Sequence, residues 1–174
     1  MPLTIAVPDE ILTERLRLRR HNVGDVEAFQ DFMADPESTR FMDFAAEQKT
    51  AAGAEAMMRG VTDLYDSETP VFSMTITLRS IDRYLGSCGL SQTSDDGVLE
   101  IFFTLIPSAQ GHGYATEAVE AMIEFAQGRG ARRMVAKVFD GNRPSVGVLQ
   151  RAGFVLSQTI EDDLTPASIY TRDL

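Results

Sequence analysis

The chain has 174 residues, 44% of them hydrophobic, enough to bury one core in a single domain spanning residues 1–174. Its 26 acidic residues against 16 basic ones leave a net charge of −10, which argues against a general nucleic-acid surface and suits a cationic partner. No apolar run is long enough for a membrane span, the opening MPLTIAVPDE lacks the basic-then-apolar order of a secretory signal, and the single Cys88 cannot form an internal disulfide, so a cytoplasmic protein is expected.

Residues 15–20 alternate and predict a first strand on which Arg15, Arg17 and Arg19 share one solvated face. Asn22 or Asp25 is the expected cap of a helix in which Val26, Phe29, Phe32 and Met33 recur at helical spacing. A second helix is expected over 47–65, with Ala56, Met57, Val61 and Leu64 inward, although Gly53 and Gly60 weaken its continuity. Between the two, Arg40-Phe41-Met42-Asp43-Phe44 sets large apolar residues in a polar stretch. It is either a lid over a binding groove or a cover for the core. Residues 71–78 and 84–91 alternate as partner strands joined through Ser80-Ile81-Asp82-Arg83, and Asp95-Asp96-Gly97 signals a turn.

Residues 98–106 read as the central strand, apolar on both faces apart from Glu100 and Thr104, and so expected under helices on both sides. Pro107, with no amide to give to a ladder, ends it. From Tyr114 the period becomes helical. Ala115, Ala118, Val119, Met122 and Ala126 form one stripe, Glu117, Glu120 and Glu124 face away, and Gly128 with Gly130 ends the helix. Residues 134–139 return as a strand, closing a strand–helix–strand unit whose strands should be parallel. A short helix is expected over about 144–152, with proline in its first turn and Gly153 after its end. Residues 154–159 and 169–172 complete the sheet as a hairpin pair. The acidic turn Glu161-Asp162-Asp163 near them either attracts a cationic substrate or is a solvated loop. No repeat or linker interrupts this mixed α/β, or α+β, pattern.

Between the central strand and its helix stands Gln110-Gly111-His112-Gly113-Tyr114-Ala115. A helix N-terminus offers unpaired N–H groups and roughly half a positive charge. Gly111 and Gly113 permit a tight turn and the close approach of a phosphate. Neither the lysine-bearing phosphate loop nor the three-glycine dinucleotide fingerprint is present. The segment therefore predicts a main-chain anion site for a phosphorylated cofactor.

The same hexad resembles the Q/R-x-x-G-x-G/A turn with which the GNAT superfamily of N-acetyltransferases grips the pyrophosphate of coenzyme A. Other pieces are similar to the ribosomal-protein-alanine N-acetyltransferase branch, in order and over about residues 13–160. They are Thr13-Glu14-Arg15-Leu16-Arg17-Leu18-Arg19, Ala34-Asp35-Pro36-Glu37, Leu85-Gly86-Ser87-Cys88-Gly89-Leu90, and Asn142-Arg143-Pro144-Ser145 with Leu149 and Gly153-Phe154. The resemblance implies the GNAT fold: a central mixed, mostly antiparallel twisted sheet, helices on both faces, and the parallel strand–helix–strand unit splayed around the cofactor. It implies acetyl-CoA as cosubstrate, no metal, and direct acetyl transfer to a primary amine in a ternary complex. The expected acceptor is a protein N-terminal α-amine; a small-molecule amine, or a non-catalytic acetyl-CoA-binding module, is the alternative. Dimers are common in the family, so a homodimer is among the expected states.

Candidate residues follow. Gln110, Gly111, His112, Gly113, Tyr114, Ala115 and Thr116 are the expected pyrophosphate cradle. Amides near Phe103, Thr104 and Leu105 should pair with the pantetheine arm as though it were another strand. The Phe103 N–H, at the family's usual bulge, would polarise the thioester carbonyl. Glu100, a carboxylate in an apolar strand whose burial should favour the neutral form, is the candidate base; its plain alternative is a glutamate paired to an arginine of a neighbouring strand. The tyrosine many relatives use as general acid is missing, since Gly153-Phe154-Val155-Leu156 stands there. The branch points instead to Ser145, otherwise a helix cap, with solvent as the other proton source. Asn142 is expected to hydrogen-bond the pantetheine arm. His112 stands where the branch has lysine or arginine and is expected to contact a phosphate or nothing. His21 has no candidate partner nearby in sequence and reads as structural. Cys88 reads as a small core filler, which disfavours an acetyl-cysteine route.

Overall fold

The computed structural model describes residues 3, 5–161 and 166–174, so Asp162 and Asp163 of the acidic turn lie outside the described residues. Eight strands form one sheet: β1 (Glu10–Leu12), β2 (Leu16–Arg19), β3 (Phe72–Leu78), β4 (Tyr84–Gln92), β5 (Val98–Leu105), β6 (Arg133–Phe139), β7 (Val155–Ile160) and β8 (Ala167–Asp173). Their order is β1-β2-β3-β4-β5-β6-β8-β7. Among the described residues four α-helices accompany them: α1 (Val26–Ala34), α2 (Ala51–Asp63), α3 (Tyr114–Gly128) and α4 (Arg143–Arg151). Neighbouring strands run antiparallel except β5 and β6, which are parallel, as the strand–helix–strand reading predicts. Among the described residues no helix is long and apolar enough to cross a membrane.

Alternation in β2 to β5 sorts the side chains onto two unlike faces. Leu16, Leu18, Met74, Ile76, Leu99 and Ile101 are buried on one, where Ala118, Val119, Met122 and Ala126 of α3 complete the main core. The register places Arg19, Thr75, Ser87 and Thr104 in one row across the opposite face, with Ser73, Gly89 and Phe102 in the next. The central strand has helices on both sides, but on this opposite face α1 and α2 line a cavity above it. Helix α3 seals Leu99 and Ile101, while Phe102 on the other face keeps 39% of its surface exposed because a cavity opens above it.

Three further expectations change. The arginine face of β2 is not uniformly solvated, because the turn leading into α1 folds over it and delivers Asp25. Arg19 is buried there in a two-pronged pair with Asp25, at 2.7 and 2.9 Å, and also meets Asp82. The second helix starts later than predicted: residues 46–49 make a separate 3-10 turn, and Thr50 caps α2 by accepting from the Gly53 amide. Its inward residues are Ala54 and Met58, with Met57 and Val61 half-buried, whereas Ala56 and Leu64 are exposed. Finally, Glu117 does not simply face water. Its carboxylate accepts from the Thr13 hydroxyl, the Arg15 amide and the Arg15 guanidinium at 2.6–2.8 Å. Burial would raise that carboxyl, but these bonds hold it below the usual range.

Strands β5 and β6 pair only at Val98–Arg133, Leu99–Met134 and Glu100–Val135. Beyond Glu100 they part. The sheet thus splits into two wings, β1 to β5 and β6 to β8, joined along a short seam.

Candidate active site

The split is lined on one side by the edge of β5. The Ile106 amide donates to the Leu85 carbonyl on the β4 side at 2.8 Å. Because successive amides of a strand point to opposite edges, Phe103 and Leu105 turn their N–H groups toward the split. The Gln110 side-chain amide donates to the Leu105 carbonyl at 3.2 Å. No bulge is needed to free the Phe103 amide: the β4–β5 register runs without interruption from Gly86–Leu105 to Gln92–Leu99. The expected bulge is absent from β5, and strand divergence does its work.

At the wide end of the split the chain turns through residues 110–113 into α3. Gly111 and Gly113 hold φ of 76° and 80°, the left-handed region that disfavours side chains. A Cβ on Gly111 would meet no protein atom within 4 Å, so the space beside this backbone is open. Arg15 fixes the turn from behind. Its guanidinium donates to the His112 carbonyl at 2.8 Å and lies over the Tyr114 ring. His112 itself bends back, with Nδ1 2.7 Å from the Gln110 carbonyl and its ring stacked on Tyr114; unlike Gln110, Gly111, Gly113, Tyr114, Ala115 and Thr116, it does not line the cavity.

The cavity encloses about 1040 Å³, room for a large cosubstrate and an acceptor together. Both signs of charge line it. Lys137 of β6 and Arg143 and Arg151 of α4 are on its wall, and Arg151 reaches the Thr116 hydroxyl at 3.3 Å, beside the start of α3. Glu37, Asp43 and Glu100 line it as well. An anionic group therefore fits beside Arg151, where helix α3 also presents its free amides.

Glu100 sits at the last paired position of the seam, half-buried on the cavity wall, and makes no ion pair or side-chain hydrogen bond among the described residues. The arginine pairing that would have made it structural does not occur. Asn142 caps α4, accepting from the Ser145 amide at 3.3 Å. Ser145 is thus the capped residue and not the cap, and its hydroxyl, on the cavity wall, makes no hydrogen bond among the described residues. Cys88 is fully buried, and burial pushes its thiol up to about 12. Among the described residues no cluster of His, Cys, Asp and Glu could hold a metal ion.

The segment 40–44 covers part of the core, as one of its two readings expects, and also lines the cavity. Met42 and Phe44 pack on the small cluster of Phe32, Met33 and Ala54, while Phe41 lines the cavity and approaches Gly141 in the loop before α4. His21 is the residue that the sequence left without a role. It is buried at the end of β2, its Nδ1 2.6 Å from the Thr75 hydroxyl and its Nε2 2.9 Å from that of Ser73, and burial lowers its pKa to about 4. Both partners lie more than fifty positions away, so only the strand register could have shown them.

Residues 15–155 match the family described as Acetyltransferase (GNAT) domain. The chain is 28% identical over 156 residues to a protein of Bacillus licheniformis named uncharacterized N-acetyltransferase p20, covering 88% of this chain and 86% of that one. Its fold is similar to that of a ribosomal-protein alanine acetyltransferase from Vibrio fischeri (TM-score 0.75, 15% identity, 94% and 96% of the two chains). It is also similar to a microcin self-immunity acetyltransferase solved with acetyl-CoA and AMP (TM-score 0.81, 16% identity, 99% and 98%). An open strand edge that runs into a glycine turn and a helix N-terminus is what a pantetheine arm ending in a diphosphate requires, and the chain belongs to the GNAT family of acetyl-CoA-dependent acetyltransferases.

Proposed function

We propose that residues 1–174 act as one acetyltransferase domain that moves the acetyl group of acetyl-CoA directly to a primary amine, in a ternary complex. The observation that carries this reading is the split between β5 and β6, which sets the unpaired Phe103 and Leu105 amides between the glycine turn and Glu100. The amides of residues 111–116 hold the diphosphate, with Gln110 buttressing the turn and Asn142 hydrogen-bonding the arm. The Phe103, Thr104 and Leu105 backbone receives the arm, and the Phe103 N–H stabilises developing negative charge on the acyl oxygen. Acetyl-CoA supplies an activated thioester. Glu100 takes the proton that the amine must lose, and the free Ser145 hydroxyl is placed to return one to the departing sulfur. The deeply buried Cys88 thiol supports direct transfer over an acyl-cysteine route.

The acceptor we favour is a protein N-terminal α-amine. Support comes from the ordered resemblance to ribosomal-protein acetyltransferases, the likeness in fold to one of them, and the carboxylates of Glu37, Asp43 and Glu100 on the cavity wall. Phe41, on the cavity wall and close to Gly141, favours a second reading, a small-molecule amine. Thiol release from acetyl-CoA, followed with Ser- and Ala-initiated peptides beside small amines, decides between them. Coenzyme A binding with no thiol release for any amine would reduce the protein to a binding module.

A further inference from the structure

Resting on the acetyltransferase reading, we infer that the acceptor is a primary amine on a bulky apolar body whose far end carries an N–H or O–H donor, and that Ser73 reads this donor. The juxtaposition behind the inference is a set of large apolar side chains beside Glu100 with a polar point, the Ser73 hydroxyl, on the wall two strands away; Ser87 and Thr104 line the same cavity. Phe102 projects from β5 across Gly89, where a Cβ would overlap its ring, so the floor of the cavity there is aromatic. Phe29, Phe41, Met57 and Val61 line the cavity from α1, the loop after it, and α2. A short hydrophilic amine would leave these surfaces wet and unfilled.

The polar point is fixed by a chain of hydrogen bonds with one allowed direction. Asp25 is ionised: burial would raise its carboxyl, but Arg19, the Asn22 amide and Thr75 hold it below the usual range. A carboxylate only accepts, so the Thr75 hydroxyl must donate to it, at 2.9 Å. Having spent its proton, Thr75 accepts from His21 Nδ1–H at 2.6 Å. Neutral His21 then has a bare Nε2, to which the Ser73 hydroxyl donates at 2.9 Å. Ser73 is 8% exposed on the cavity wall; its carbonyl accepts from the Tyr65 hydroxyl at 2.8 Å, but its side-chain oxygen accepts no hydrogen bond among the described residues. Its oxygen therefore offers the cavity lone pairs alone, and only a donor satisfies it. Ser73 stands two strands from Phe102, in register through Gly89. The acceptor body accordingly spans roughly 10 Å, two inter-strand spacings, which suits one aromatic ring on a short linker. His21 is a positioning residue here, holding the Ser73 hydroxyl in this sense.

The same chemistry is available as a free arylalkylamine or as the first residue of a peptide, and the assay separates them. Thiol release is measured with ethanolamine, 2-phenylethylamine and tyramine, and with peptides beginning in Ser, Ala, Phe and Tyr. The expected order of kcat/KM is tyramine above 2-phenylethylamine by on the order of tenfold, the worth of one hydrogen bond, and both well above ethanolamine; the peptides follow the same order if the source is a peptide. Ser73→Ala should erase the tyramine advantage, lowering kcat/KM for tyramine by on the order of tenfold to the level of 2-phenylethylamine. Ethanolamine or the Ser and Ala peptides outrunning every bulky acceptor would overturn the inference and leave the acetyltransferase reading intact. Equal rates for tyramine and 2-phenylethylamine in the unaltered protein would remove Ser73 as reader even if the variant failed to fold. Coenzyme A binding without acetylation of any amine would overturn the transferase reading and this one with it.

Discussion

Arg15 donates to the main-chain carbonyl of His112 at 2.8 Å and thereby holds the glycine turn from the side away from the cavity. Its other contacts, the Glu117 carboxylate at 2.6 Å and the Tyr114 ring, anchor it to the first turn of α3. One side chain just ahead of β2 thus locks the loop and the helix that follows it.

That lock leaves little tolerance at Gly113. Its φ is 80°, and an added Cβ would come within 3.3 Å of the Arg15 guanidinium. Gly113→Val should abolish coenzyme A binding, measured by titration calorimetry, while circular dichroism stays near that of the unaltered protein. Tight binding by a folded variant would contradict the anion site.

Glu100→Gln keeps the shape of the seam and removes the proton acceptor. Turnover should fall by about 10²-fold or more, with coenzyme A affinity unchanged. Equal turnover across the whole pH range would take Glu100 out of the reaction.

Ser145→Ala tests the returning proton. The cap of α4 belongs to Asn142, so the helix should survive the change. A loss of kcat at constant KM for acetyl-CoA is expected. Full activity would assign that proton to solvent.

The His21 network predicts a pH-dependent stability. Burial lowers the imidazole to about 4, against 6.5 for an exposed one, with Arg19 opposing protonation and Asp25 favouring it. The unfolded chain therefore takes up a proton before the folded one does. Stability is whole above about pH 6.5 and declines as pH falls toward 4, by up to about 3 kcal/mol. Melting temperatures across that window should show the decline in the native protein and a flatter profile in His21→Gln. A flat profile in both would mean that His21 is not held neutral.

Cys88 should resist alkylation in the folded state, because its thiol is buried and its pKa is pushed up to about 12. Mass spectrometry after iodoacetamide at pH 8 should find it unmodified until denaturant is added. Rapid labelling of folded protein would show that the β4 core opens.

The local features of this molecule were legible in its sequence, and the lateral ones were not. The strand, glycine turn and helix from Val98 to Gly128 show themselves because each is set by neighbours within a few positions: Pro107 stops β5, Gly113 turns the chain, and the alanine stripe shapes α3. The cap of α4 is local too, yet the sequence offers Ser145 for it where the structure uses Asn142, three residues earlier. What escaped depends on partners brought across the sheet. Arg19 reads as a solvated strand residue until Asp25 folds over it, and Glu117 reads as a helix surface residue until Thr13 and Arg15 arrive. His21 meets Ser73 and Thr75 only when β3 lies beside β2. The short β1 was invisible because Glu10–Leu12 is too brief to alternate recognisably, and it exists only through its pairing with β2.

Two wings that share three paired positions can pivot against each other, since so few main-chain bonds resist it. A cosubstrate arm bonded along β5 would act as a keystone between them. Occupancy should therefore be felt well beyond the catalytic groups, as slower amide exchange along β5 and higher thermal stability of the whole sheet. The enzyme would then be most pliant when empty, and assemble its stiffest form only with the acyl donor in place.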